Sequence, residues 1–193
     1  MCLEIVKLVA DSLDDSRTSL NVAAVSVMEV VVSKFPSYYL IFSTCLSSMA
    51  RHIQSDIVAF SSSYVRMTGA LIDVLGPSAL LKLPSIMENV MSRSRVVSSS
   101  VSAITNYGED STSTLSTSSK EPLFTSILLA FMVVIDKLDG FLNSYLGDIL
   151  KLMVLHPKFL PESDPKLKSK ADVVRKLITE KITVLCLSFP LPI

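Results

Sequence analysis

The sequence predicts an all-α fold, an α-solenoid of stacked helical hairpins, and three observations carry that prediction. The stretch from Leu71 to Met87 recurs 63 positions later, with Ile72, Asp73, Leu75, Leu83 and Ile86 falling on Ile135, Asp136, Leu138, Leu146 and Ile149. Both copies read as helix end, short turn, helix start. A third copy lies 41 positions upstream, where Val30, Val31, Pro36, Ser37, Leu40 and Phe42 match Leu71, Ile72, Pro77, Ser78, Leu81 and Leu83. The first spacing exceeds the second by 22, about the length of the polar stretch from Val101 to Pro122, so one insertion accounts for the mismatch.

A spacing of 41 is the period of HEAT and armadillo repeats. Repeats of that kind build binding surfaces and seldom active sites. The expected organisation is HEAT-like helical repeats over 1–100, a Ser/Thr-rich flexible insertion over 101–121, further HEAT-like repeats over 122–182, and an apolar tail over 183–193.

The first helix is expected from the spacing of Leu3, Val6, Leu8, Val9 and Leu13, before the polar turn Asp14-Asp15-Ser16-Arg17. A second, from about Leu20 to Ser33, is rich in valine, which locally favours strand, but periodicity overrides that preference. Phe35-Pro36-Ser37 breaks the chain, because proline disfavours helix in the residue before it. Two helices follow, from about Ser37 to His52 and from Ser55 to Leu75, the latter with Ser55 as its expected cap and Asp56 near the positive end of the dipole.

Gly76-Pro77 ends that helix, glycine by accepting a left-handed cap and proline by failing to continue the ladder. The next helix is expected near Ser78, with a kink or a fresh start at Leu83 before Pro84, and an end near Val97. After the serine-rich stretch, Ser118-x-x-Glu121 supplies a capping-box pattern before Pro122. Helices are then expected from Phe124 to Leu138, from Phe141 to Leu155, ended by His156-Pro157, and from Lys166 to Lys181. Leu167, Ala171, Val174, Leu177 and Ile178 form the apolar stripe of the last.

With 193 residues, 49% of them hydrophobic, the chain has ample material for a continuous core. The 18 basic and 18 acidic residues balance, which argues against a protein whose whole surface grips nucleic acid. Any such contact is therefore local. Cys2, Cys45 and Cys186 are widely spaced, with no C-x-x-C pair, and read as reduced thiols, Cys45 as a small buried hydrophobe.

A mean hydropathy of +0.50 raises the question of a membrane. The longest uncharged runs, Phe35 to Ala50 and Pro122 to Ile135, fall short of the roughly 20 apolar residues that a spanning helix needs. Glu4 stands where a signal peptide carries positive charge. The expectation is an intracellular chain with no membrane span.

Constellations of catalysis are missing from the sequence: there is no G-x-S-x-G, P-loop, G-x-G-x-x-G or H-E-x-x-H. His52 and His156 sit at expected helix ends, where a cation suits the dipole. Asp73 and Asp136 recur at equivalent positions, which speaks for a structural role. No enzyme activity, cofactor, metal or small-molecule substrate is expected.

For phosphate contact the best candidates are Lys166, Lys168, Lys170, Arg175, Lys176 and Lys181 on the last helix. The competing reading is a solvated outer face balanced by Glu162, Asp164, Asp172 and Glu180. Arg93 and Arg95 add a smaller basic spot. Serines between Ser92 and Ser119 are candidate phosphorylation sites, with Glu109-Asp110 beside Ser111.

Between Leu71 and Ile182 the order of motifs becomes specific: Leu75-Gly-Pro-Ser-Ala-Leu-Leu-Lys-Leu-Pro-Ser-Ile-Met87, the serine-rich insertion, Phe141-Leu-Asn-Ser-Tyr-Leu-Gly-Asp-Ile-Leu150, then Leu177-Ile-Thr-Glu-Lys-Ile182. This order resembles the C-terminal region of the HEAT-repeat small nucleolar RNA-associated protein ten, or HEAT repeat-containing protein one, family of the small-subunit processome. The resemblance implies a nucleolar, non-catalytic scaffold for pre-rRNA processing toward 18S rRNA and for rRNA transcription. Its implied partners are processome proteins, with pre-rRNA or small nucleolar RNA as neighbours. Members of that family are far longer and continue past Ile182 into a further basic segment, so the resemblance implies a piece of a longer product with an altered end. A generic HEAT or armadillo adapter in transport or cytoskeletal assembly, and a helical protein lying on a membrane surface, are the alternatives.

Overall fold

The computed structural model describes residues 2–15, 17–102, 120–155 and 165–188, and these form helices and turns with no strand among them. The helices are α1 (Cys2–Ser12), α2 (Thr18–Lys34), α3 (Tyr39–His52), α4 (Val58–Leu75), α5 (Leu83–Ser102), α6 (Glu121–Lys137), α7 (Asn143–Leu155) and α8 (Pro165–Ser188). Short 3-10 turns over Gly76–Lys82 and Asp139–Phe141 lead into α5 and α7.

Even-numbered helices form one row. The broadest contact in the molecule joins α4 to α6, and α2 and α8 extend the row on either side. A second row lies against it, with α1 on α2, α3 on α4 and α7 on α8, while α1 touches α3 and α3 touches α5. One continuous apolar core runs between the rows, from Val6 in α1 to Ile178 in α8. Helices in such an arrangement bury two sides, which is why the chain is so apolar and why α4 and α6 carry buried residues on most of their circumference.

All three recurring stretches occupy the same kind of place, the junction where an even helix turns into the next odd one. Their burial agrees. Phe42, Leu83 and Leu146 are buried at equivalent positions, as are Cys45, Ile86 and Ile149, and Met49, Val90 and Met153. Leu40 and Leu81, also equivalent, both point outward at 73% and 91% exposure.

Register before the turn differs from the expected spacing. Val30 is 58% exposed while Leu71 is fully buried, so these two are not counterparts. Burial pairs Val31 with Leu71 and Val32 with Ile72, a spacing of 40. Hydrogen bonds agree: the Asn21 amide donates to the Leu13 carbonyl, and the Ser61 hydroxyl donates to the Ile53 carbonyl at 2.6 Å, each reaching eight residues back. The turn after α4 is therefore one residue longer than the turn after α2. Its extra length is taken up at Gly76, whose φ of +49° lies in the left-handed region, followed by the 3-10 turn.

Several helix limits depart from the sequence reading. Ser55 does not cap α4; Ile57, in extended conformation, precedes the helix with no side-chain cap. No α-helix begins at Ser78, because the chain follows the 3-10 path; of the two expected courses at Leu83, the fresh start is the one α5 takes. Ser118 lies outside the described residues, and Lys120 precedes α6 without a side-chain cap while Pro122 occupies its first turn, where a missing N–H costs nothing. α5 runs to Ser102, and α8 runs beyond Lys181 to Ser188, since no helix breaker intervenes before Pro190. His156, most of the serine-rich insertion and residues 189–193 lie outside the described residues.

One stretch, Val58–Val97, is apolar and long enough by composition to cross a membrane, which the run-length reading had not anticipated. The stretch is bent at Gly76, and its α4 half is the helix most surrounded by others, packed on α2, α3 and α6. A helix buried in a protein core passes the same compositional test.

Candidate functional site

α8 carries the basic residues and is positioned by its apolar stripe. Leu167, Ala171, Val174 and Ile178 are buried and Leu177 partly so, which anchors the helix on α6 and α7. At 3.6 residues per turn the six basic residues then distribute around the remaining surface. Lys166, Lys170 and Lys181 flank one side of the stripe, Lys168 and Arg175 the other, and Lys176 lies on the outer side.

Arg175 is turned inward. Its Nη2 donates to the Met153 carbonyl at 2.7 Å and its Nη1 pairs with Asp172 at 2.5 Å, so it ties α8 to α7. Lys176 lies 3.8 Å from Glu180. Lys168 and Lys176 share a shallow, open groove of about 440 Å³ with Pro165, Ser169, Asp172 and Val173. Of the six candidates, then, the groove brings two together, with a carboxylate between them. α8 presents a mixed face whose cations are dispersed.

Arg93 corrects the smaller basic spot. It is 6% exposed, its Nε donates to Ser61 Oγ at 3.3 Å and its Nη2 to the Asp56 carbonyl at 3.3 Å. It fastens α5 to the turn between α3 and α4, and only Arg95 faces outward. A buried guanidinium needs acceptors, and the Ser61 hydroxyl and the Asp56 carbonyl at the helix junction supply two.

The recurring aspartates meet at one cation. Lys137 Nζ lies 3.1 Å from Asp73 and 3.6 Å from Asp136, linking the ends of α4 and α6. The hydrogen bond to Asp73 and its charge raise the Lys137 pKa, with Asp136 adding to the effect.

A polar thread joining four helical segments was not foreseen from sequence. Asp14, in the turn after α1, accepts from Ser48 Oγ at 2.5 Å and from Arg51 Nη2 at 3.0 Å, and its Oδ1 lies 3.2 Å from His52 Nε2. Burial would raise the Asp14 pKa, but the hydrogen bonds from Ser48 and His52 and the Arg51 and His52 charges outweigh it and lower the value. The His52 ring stacks on Tyr64 at 5.2 Å between centroids, and the Tyr64 hydroxyl donates to the buried Asn21. The available signal was polar residues, Asn21 and Ser48, standing within otherwise apolar faces.

Cys45 is buried, and burial pushes its thiol up to about 12, so it stays protonated and unreactive at neutral pH. Among the described residues no group of three or more His, Cys, Asp or Glu side chains is placed to hold a metal ion.

No family model matches the chain, and no solved structure matches it. An uncharacterized protein of Arabidopsis thaliana is 45% identical over 184 residues. The match takes in 95% of this chain and 8% of the relative, so the chain spans a small part of the length of the curated relative it matches.

Proposed function

We propose that this chain is a segment of an α-solenoid of HEAT/armadillo-like hairpins and acts as a non-catalytic scaffold in ribosome biogenesis. On this reading it serves the small-subunit processome in the nucleolus, in pre-rRNA processing toward 18S rRNA and in rRNA transcription. The observation that carries the solenoid is the side-by-side row α2, α4, α6, α8, with three junctions of matching burial. Each hairpin covers its neighbour, so the core is shared along the row, as in a stack of repeats.

The processome assignment rests on the order of motifs from Leu75 to Ile182, and a relative roughly twelve times the length of this chain fits a scaffold built of many such hairpins. Outer helix faces and the groove of α8 would meet processome proteins, and RNA contact would come from separated lysines. The test is affinity purification of the tagged full-length Arabidopsis relative from plant nuclei. Pre-rRNA and small nucleolar ribonucleoprotein components should accompany it. Their absence, with transport or cytoskeletal proteins in their place, would favour a generic helical adapter.

A further inference from the structure

The two rows contain their own control for what a hairpin needs on each side. In the second row, Ser48 of α3 reaches back to Asp14 in the turn after α1, and Asn89 of α5 reaches back to the Ala50 carbonyl of α3 at 3.1 Å. The position equivalent to Ser48 and Asn89 in α1 is Leu8, which is 67% exposed. In the first row, Met67 of α4 and Ala130 of α6 are equivalent to each other, both buried, and Ala130 lies against α4. Their counterpart in α2 is Val27, 46% exposed, beside exposed Ala23 and Val30. Ile5, the counterpart of buried Cys45 and Ile86, is exposed as well.

So the side on which α3/α4 and α5/α6 each receive the preceding hairpin is, on α1/α2, apolar and open. We infer that Ile5, Leu8, Ala23, Val27 and Val30 form the docking face for one more helical hairpin of the same build, contributed by a longer chain and packed on α2 as α2 packs on α4. Two arguments select this occupant over a second copy or an unrelated partner. The face continues an interface that already repeats along the row. The Arabidopsis relative that matches this chain is also about twelve times as long, which leaves ample chain to supply such a hairpin. The inference rests on the reading above in placing this segment late in a long repeat protein.

The test places a photo-reactive amino acid in the full-length Arabidopsis relative at the position aligned with Val27 and maps the cross-link by mass spectrometry. An intrachain link to a peptide within about 40 residues before the matching region, one repeat period, is the expected result. A link to another polypeptide, or none, would overturn the inference. In parallel, the purified 193-residue chain and its Leu8→Glu/Val27→Glu variant are compared by sedimentation. Both should retain helicity and sediment alike; self-association of the wild type relieved at least about tenfold in the variant, as expected for a charge buried in an apolar contact, would make a second copy the occupant and overturn it. Neither readout depends on rRNA, so the inference can fail while the processome reading stands, and the reverse.

Discussion

Gly69 of α4 lies directly against Ala130 of α6: a Cβ built on Gly69 would stand 3.4 Å from the Ala130 Cα. That contact sits in the broadest interface of the molecule, near the buried Ser62 to Ser126 hydrogen bond at 3.0 Å. Alanine at 69 would meet Ala130 at the near limit of ordinary contact while regaining about 0.5 to 1 kcal/mol of helix propensity, so Gly69→Ala should be neutral or slightly stabilising. Gly69→Leu has no such room and should cost about 1 to 3 kcal/mol by forcing the helices apart. Urea denaturation of the two variants decides it; a tolerated leucine would mean the helices are not held at this distance.

Arg93 and Arg95 are two residues apart on α5 and should behave oppositely. Arg93→Ala removes a buried donor to Ser61 and to the Asp56 carbonyl and leaves a gap, an expected loss of about 1 to 3 kcal/mol. Arg95→Ala, on the exposed side, should stay within about 0.5 kcal/mol. Equal small effects in thermal melts would put Arg93 back on the surface.

Helical class and the junction pattern were legible because they depend on period and on proline and glycine placement, which are local. The slip of α2 against α4 from 41 to 40 was not, because Val30, Val31 and Val32 are chemically alike and a run of valines cannot say which of its members faces inward. Arg93 differs from the sequence reading for a related reason: a single basic residue near a polar linker looks solvated until the Asp56 carbonyl and the Ser61 hydroxyl are brought to it. The candidate site fared similarly. The stripe of α8 follows from spacing alone, whereas the inward turn of Arg175 depends on the Met153 carbonyl, 22 residues away in sequence.

Leu75, the last residue of α4, and Leu138, the residue just after α6, stand at matching positions, and both are buried. Either leucine replaced by alanine should cost about 2 to 5 kcal/mol, the range for buried leucines that leave a cavity. A change below about 0.5 kcal/mol in either would show that the two junctions are not packed alike.

RNA contact through α8 would show itself in salt dependence. If Lys168 and Lys176 each neutralise a phosphate of single-stranded RNA, the slope of log affinity on log salt should fall by about 1.4 in the Lys168→Gln/Lys176→Gln variant. Filter binding across a salt series with a pre-rRNA fragment measures it. A slope unchanged by the double substitution would remove the groove from any phosphate contact.

The turn between α1 and α2 should make stability fall in acid. Asp14 has its pKa lowered, burial being outweighed by Ser48, His52 and Arg51, and Asp15 is lowered to about 2 by hydrogen bonds from the Arg17 side chain and backbone. An unfolded aspartate titrates near 3.9. A carboxylate with a depressed folded pKa stabilises the fold above its unfolded value, and that contribution is lost as pH falls through the folded one. The wild type should therefore lose stability between about pH 4 and pH 2. Asp14→Asn should be less stable at pH 7 by about 1 kcal/mol or less, since Asp14 is half-exposed and solvent screens its charge partners. The gap between the two proteins should close on acidification; parallel melting curves from pH 7 to pH 2 would mean that Asp14 does not hold the α1 to α2 turn onto the end of α3 through its charge.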